Sequence, residues 1–272
     1  ALDRIGRSVL QPQPDAGPVD RKDRGRTGIW IDPALSERLT IQRNGPWLDE
    51  PDTIAQRQEN LLRSIGYAVV NRRLQRLSRS PQPPFRGAGF GTGDVFETAR
   101  SSRLIIDSVD GKWSGGLAAA AREYRRALAH GFSEGEVAEQ IAQLRTSLVN
   151  AAASANTRSN AVLAGIALAL IDDRIVPSTP ASALERFEAF APRITAKAVH
   201  AAVKREAVKL DKPLIRFEGR RAPEGGEAAL RTAWQHAIRG PVPREADQAA
   251  AHFAYGDFGA AGTVVSDRRD PV

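Results

Sequence analysis

FRGAGFGTGDVFETARSSRLIIDSV, residues 85–109, decides the fold class. It contains two extended stretches, Phe85 to Phe96 and Arg103 to Val109, with too few residues between them for a helical crossover. They are therefore predicted to pair as an antiparallel hairpin. Gly87, Gly89, Gly91 and Gly93 thin the first strand, while RLIIDSV supplies the better strand residues.

Immediately upstream, PQPP at 81–84 stops a helix, because proline cannot continue the hydrogen-bond ladder. That helix begins after Thr53 and Gln56, which stand at capping-box spacing, and its apolar stripe runs through Leu61, Ile65, Val69, Val70, Leu74 and Leu77. Further upstream, Gly28–Ile31 and Leu39–Arg43 read as two strands joined by IDPALSE. Residues 1–25 mix Pro, Gly, Asp and Arg without periodicity and read as linker.

Downstream, Leu117, Ala121, Tyr124 and Leu128 fall at helical spacing, and Gly131 stands where a left-handed C′ residue is expected. The next helix starts at once. Ser133 and Glu136 form a capping box, Phe132 and Val137 occupy the positions of a hydrophobic staple, and Ile141, Leu144 and Leu148 continue the stripe. The small polar run AAASANTRSNA is expected to break or bend this helix before VLAGIALALI, whose apolar content predicts burial. Thr179-Pro180 opens a helix carrying Leu184, Phe187 and Phe190, Thr195 caps one carrying Val199 and Val203, and PLIRFEG at 213–219 reads as a strand.

This order predicts an α+β fold with helices packed on one face of a largely antiparallel sheet. The predicted organisation is a linker over 1–25, an α+β domain over 26–222 and an extended connector over 223–272 with one short helix around Trp234.

The 272 residues, 42% apolar and 26% charged, are enough for a sizeable core. The chain has no stretch of about 18 apolar residues, and its first residues lack the apolar run of a secretory signal, so neither a membrane partner nor an uncleaved signal is expected. The absence of cysteine excludes disulfides, thiolate metal ligands and thiol nucleophiles. Methionine is absent too, even at position 1, which suggests a piece of a longer chain. The net charge of +7 comes with 32 acidic residues interleaved among 39 basic ones, only six of them Lys. Such an Arg- and Ala-rich composition fits a GC-rich genome better than a nucleic-acid partner.

Chemistry is hard to find. Two histidines and a carboxylate at the spacing H-E-x-x-H or H-x-x-E-H would mark a zinc peptidase, and neither motif occurs. His130, His200, His236 and His252 are isolated, and each reads as a capping or surface residue. The glycines of GAGFGTG alternate instead of following G-x-G-x-x-G, so a glycine-thinned strand is the better reading than a nucleotide loop. No G-x-S-x-G elbow occurs, and Asp172-Asp173 reads as a solvated helix end. What remains is a basic run of Arg63, Arg72, Arg73, Arg76, Arg79 and Arg86, suited either to peptide carbonyls and carboxylates or to a solvated helix face.

NLLRSIGYAVVNRRLQRLSRSPQPPF, then GAGF, then AAREYRRALAHGFSEGEVAEQIAQLRTSL, resembles the pitrilysin/insulinase family of zinc metallopeptidases over about residues 26–220. Asn71, Arg73 and Leu74 match the family's Leu-Asn-x-Arg-Leu-like helix signature. Glu123, Arg126, Gly131, Phe132, Ser133, Glu136 and Val137 match its E-x-x-R-x-x-x-x-G-[FI]-[ST]-x-x-E-[LV] segment. The resemblance implies a modular enzyme of repeated α+β domains in two halves, with H-x-x-E-H in the first domain. No residue here corresponds to that motif. The chain therefore resembles the non-catalytic second domain of the first half, with the connector to the second half. No cofactor is expected in this chain, whereas zinc is expected in the parent's catalytic domain.

The implied partners are the catalytic domain or subunit of the same peptidase and a peptide substrate, and the implied compartment is the periplasm. The resemblance also places Arg79 at a peptide-contacting arginine and Phe85 at a position where the family has a tyrosine. Without a hydroxyl, Phe85 cannot donate a hydrogen bond to a substrate carbonyl. Arg72, Arg73, Arg79 and Phe85 are thus the candidate contacts. The competing expectation is a stand-alone binding module for an anionic or protein partner.

Overall fold

Why the strands form one sheet with a single covered face follows from their pleat, in which successive residues point to opposite sides. A computed structural model describes residues 25–172, 174–206 and 210–244. Its elements run β1 (Thr27–Ile31), β2 (Arg38–Pro46), α1 (Ile54–Ser78), β3 (Gly87–Val95), β4 (Ala99–Asp107), α2 (Trp113–His130) and α3 (Glu134–Ala153). They continue with α4 (Asn160–Asp172), α5 (Pro180–Phe190), α6 (Ala196–Glu206), β5 (Leu214–Gly219) and α7 (Gly226–Ala237). The five strands lie in the order β1-β5-β2-β4-β3; β1 and β5 are parallel and every other pairing is antiparallel. The fold is α+β, as expected.

β3 and β4 form the expected hairpin. The last strand is placed less predictably. β5 inserts between β1 and β2, so the two strands flanking IDPALSE never pair with each other.

Register aligns Ile215, Ile41, Leu104 and Phe90 in one row across four strands, and Phe217, Leu39 and Ile106 in a second. All seven are buried in the main core, together with residues of the helices. The other face is polar: Arg38 pairs there with Asp107 at 2.6 Å. Gly87, Gly89, Gly91 and Gly93 oppose Asp107, Ile105, Arg103 and Ser101, so all four glycines lie on this second face and leave β3 almost bare of side chains there.

α1 lies along β3 and packs against α6. Its first turn is held by Thr53 Oγ1, which accepts from Gln56 N at 3.1 Å, while the Gln56 amide turns to Asn60 instead of closing a capping box. α1 and α6 approach so closely at Gly66 that a Cβ there would stand 2.3 Å from Val203 Cγ2.

Between α2 and α3 the expected joint is present. Ser133 Oγ accepts from Glu136 N at 3.2 Å and the Glu136 carboxylate accepts from Ser133 N at 3.0 Å. Phe132 and Val137 are both buried. Gly131 has a positive φ of 75° but a ψ of −140°, a glycine region distinct from the left-handed helical turn.

The segment 162–171 departs from expectation. It is helical, but Val162, Leu163, Leu168 and Leu170 are exposed, because no element among the described residues packs extensively over α4. α7 departs as well. Leu230 and Trp234 are buried in the common core, and Trp234 Nε1 donates to Leu210 O at 3.1 Å, so the folded unit continues past residue 222. All of the predicted linker but Gly25, and most of the predicted connector, with His252 and Asp173, lie outside the described residues. Among those described, no helix is long and apolar enough to cross a membrane.

Candidate functional site

α1 presents Ala68, Asn71, Arg72, Gln75 and Ser78 along one side because these positions recur every three or four residues. They face the glycine strand β3 on one side and Gln140 and Gln143 of α3 on the other, enclosing a groove of about 880 Å³. Arg103 and Ile105 of β4 complete the lining, and no carboxylate or imidazole belongs to it. The floor is open at Gly91, where an added Cβ would meet nothing within 4 Å.

The groove's wall is fixed by Asn71. Its Nδ2 donates to Phe90 O at 3.0 Å, and its Oδ1 accepts from Phe90 N at 2.8 Å. β3 is an edge strand, and this carboxamide occupies the outward main-chain groups that an added strand would use.

Beneath the groove, the buried carboxylate of Glu206 joins α6 to α1 and the hairpin. It accepts from Tyr67 Oη at 2.5 Å, Thr92 Oγ1 at 2.9 Å and Arg100 Nε at 2.7 Å, with Arg63 Nε 3.8 Å away. Burial alone would raise its pKa, but the bonds from Tyr67 and Arg100 bring the carboxyl below its ordinary value. Burial, reinforced by the Glu206 charge, pushes the Tyr67 and Tyr124 phenols up, so both stay protonated. The network meets the groove through Thr92, which lines it, while Glu206 itself is buried.

The expected contact residues divide. Arg72 is exposed on the groove wall and pairs with Glu139 at 2.8 Å, and Arg79 is exposed at the C-terminal end of α1. Arg73 is buried: its Nε meets Glu136 Oε1 at 2.7 Å, Nη2 meets Oε2 at 2.6 Å and donates to Gly131 O at 3.2 Å. Its guanidinium also lies 5.5 Å from the Phe132 ring centre. Phe85 has 0% exposure. Neither Arg73 nor Phe85 can touch a peptide from these positions, because both are packed into the core.

Four of the six arginines in the run have carboxylate partners. Arg63 meets Glu50 at 2.8 Å, Arg72 meets Glu139, and Arg73 and Arg76 share Glu136. The described histidines have structural roles or are exposed. The His200 ring bonds Leu128 O at 2.9 Å, His130 bonds Val242 O at 2.7 Å, and His236 is exposed near the end of α7. No group of three His, Cys, Asp or Glu among the described residues could hold a metal ion. Gln75, Gln140, Gln143 and Arg103 belong to no sequence motif, and the 71, 75, 78 spacing of polar residues along α1 is the one local signal of this wall.

No family model matches the chain, and no curated protein does. Solved structures match it well in fold. The periplasmic protease PqqL from Escherichia coli superposes with a TM-score of 0.71 at 14% identity, over 84% of this chain and 26% of that one. A predicted insulinase family protease from Yersinia pestis gives 0.60 at 16% identity, over 79% and 46%. A peptidase M16 inactive domain from Pseudomonas fluorescens gives 0.55 at 19%, over 74% and 45%. The chain thus has the fold of insulinase/M16 peptidase domains and spans less than half the length of these chains.

Proposed function

We propose that this chain is a non-catalytic, substrate-enclosing domain of a bacterial zinc metallopeptidase, working beside a catalytic domain or subunit that carries the zinc. The observation that carries the reading is the groove along α1, β3 and α3, which has peptide-sized volume and amide and guanidinium linings but no group able to activate water. Asn71, Gln75, Gln140 and Gln143 offer donors and acceptors to peptide main chain, and Arg72 and Arg103 offer cations to carbonyls or acidic side chains. Because Asn71 already holds Phe90, a peptide here is gripped by side chains and not by a continuous strand addition. The parent's reaction would be peptide-bond hydrolysis in the periplasm.

The binding-module reading loses its main support, since Glu50, Glu136 and Glu139 balance much of the arginine run. The test incubates the purified chain with an unstructured peptide mixture and zinc, followed by mass spectrometry and by anisotropy of one labelled peptide. Binding without cleavage is expected, and Arg72→Glu should weaken it at least threefold. Zinc-dependent cleavage, or no binding, would overturn the proposal.

A further inference from the structure

The least explained feature of the molecule is α4. From Ala161 to Ile171 it carries no charged or polar side chain, yet Val162, Leu163, Leu168 and Leu170 keep 44% to 55% of their surface. At about 100° of rotation per residue, Leu168 lies opposite the sector of Val162, Leu163 and Leu170, so apolar surface is exposed on both sides of the helix. Ile175 N donates to Ala169 O at 3.0 Å, and the next residue, Val176, is tied to Asp52 and Arg57 beside α1, yet both side chains stay exposed.

This pattern selects among occupants. A helix lying on a membrane surface needs a polar face turned to water, and α4 has none. Two-fold pairing with a second copy would cover one side of each helix and leave the other wet. A helix apolar all round belongs inside protein, enclosed from several directions. The solved structures with this fold hold it within longer chains, of which this sequence covers 26% of one and 46% of another.

We infer that α4 is an insertion element, seated in an apolar groove of a further domain on the same polypeptide. The inference rests on the functional reading above, in its form where the catalytic partner is a domain of the same polypeptide.

The chain has no cysteine, so Leu170→Cys and Leu168→Cys place single reporters about 160° apart around α4, on opposite sides. Maleimide labelling is followed in the 272-residue chain and in the complete product of its gene, reading the tryptic peptide 159–174 by mass spectrometry. Both sites should label rapidly in the chain and at least tenfold more slowly in the complete protein, with protection lost in urea. Labelling of both sites in a longer product at the rates seen in the chain would sink this inference and leave the functional reading standing. Protection of one side only, with a dimer in sedimentation velocity, would point to a second copy and overturn it. Flotation of the chain with phosphatidylglycerol vesicles, abolished by Leu168→Glu, would assign α4 to lipid and overturn it. A gene product ending without another domain would overturn this inference and leave the functional reading only in its separate-subunit form.

Discussion

The carboxamide of Asn71 holds the main chain of Phe90 by both its N–H and its C=O, at 2.8 and 3.0 Å, in the manner of a one-residue strand. This pair joins α1 to the outer edge of the sheet and explains physically why an asparagine belongs in that helix. Asn71→Ala should leave the Phe90 groups without these partners and cost about 1–3 kcal/mol, read from urea midpoints at unchanged m-value. It also frees the centre of the β3 edge, so concentration-dependent association should increase. Unchanged stability would show that the pair contributes nothing net.

The α2–α3 joint gives a graded series. Ser133→Ala removes the cap at Glu136 N and should cost about 1 kcal/mol. Gly131→Val should cost more. A side chain there must adopt a positive φ, and its Cβ would stand 2.8 Å from His200 Cγ. Peptide binding per folded molecule should stay near wild type in both, because neither residue lines the groove.

Phe85 offers a clean contrast between core and contact roles. With no exposed surface, Phe85→Ala should lower stability by about 3–5 kcal/mol through transfer and cavity costs. Phe85→Leu should cost less and leave groove binding unchanged. A variant that kept its unfolding midpoint but lost peptide binding would place Phe85 back at the substrate surface.

Acid sensitivity follows from Glu206 and Glu136. Burial acts to raise each carboxyl, but the bonds to Tyr67 and Arg100, and to Arg73 and Ser133, leave both below the ordinary glutamate value. A carboxyl whose folded pKa is depressed adds stability above its unfolded pKa, and that stability disappears as pH falls through the folded value. The thermal midpoint should therefore hold from pH 7 to about 5 and drop below about 4.5. Glu206→Gln should lower the midpoint at pH 7 and flatten the fall beneath 4.5. Parallel curves for variant and wild type would remove Glu206 from the account.

Much of the fold is legible in local sequence. Thr53 caps α1, Ser133 and Glu136 form their box, and the glycine strand pairs with RLIIDSV as read. What escapes the sequence is non-local. Nothing in PLIRFEG says that β5 slides between β1 and β2, since strand order is set by which edges remain free when the last strand arrives. Apolar content in α4 records a need for burial and not the identity of what covers it. Arg73 and Phe85 attracted a contact reading because residue type shows at a position while depth does not. The groove was half visible: Asn71, Gln75 and Ser78 share a helix face in any reading, but only the packing of α3 brings Gln140 and Gln143 opposite them.

The central claim, that the α1–β3–α3 groove holds substrate peptide, is tested most directly by photocrosslinking from its floor. Gly91 has a negative or extended φ and open space around it, so a benzoylphenylalanine is accommodated there; exposed Gln235 on α7 serves as the reference position. Irradiation with a labelled unstructured peptide should give an adduct from position 91 that excess unlabelled peptide suppresses, and none from position 235. No adduct at 91, or equal adducts at both positions, would contradict the account.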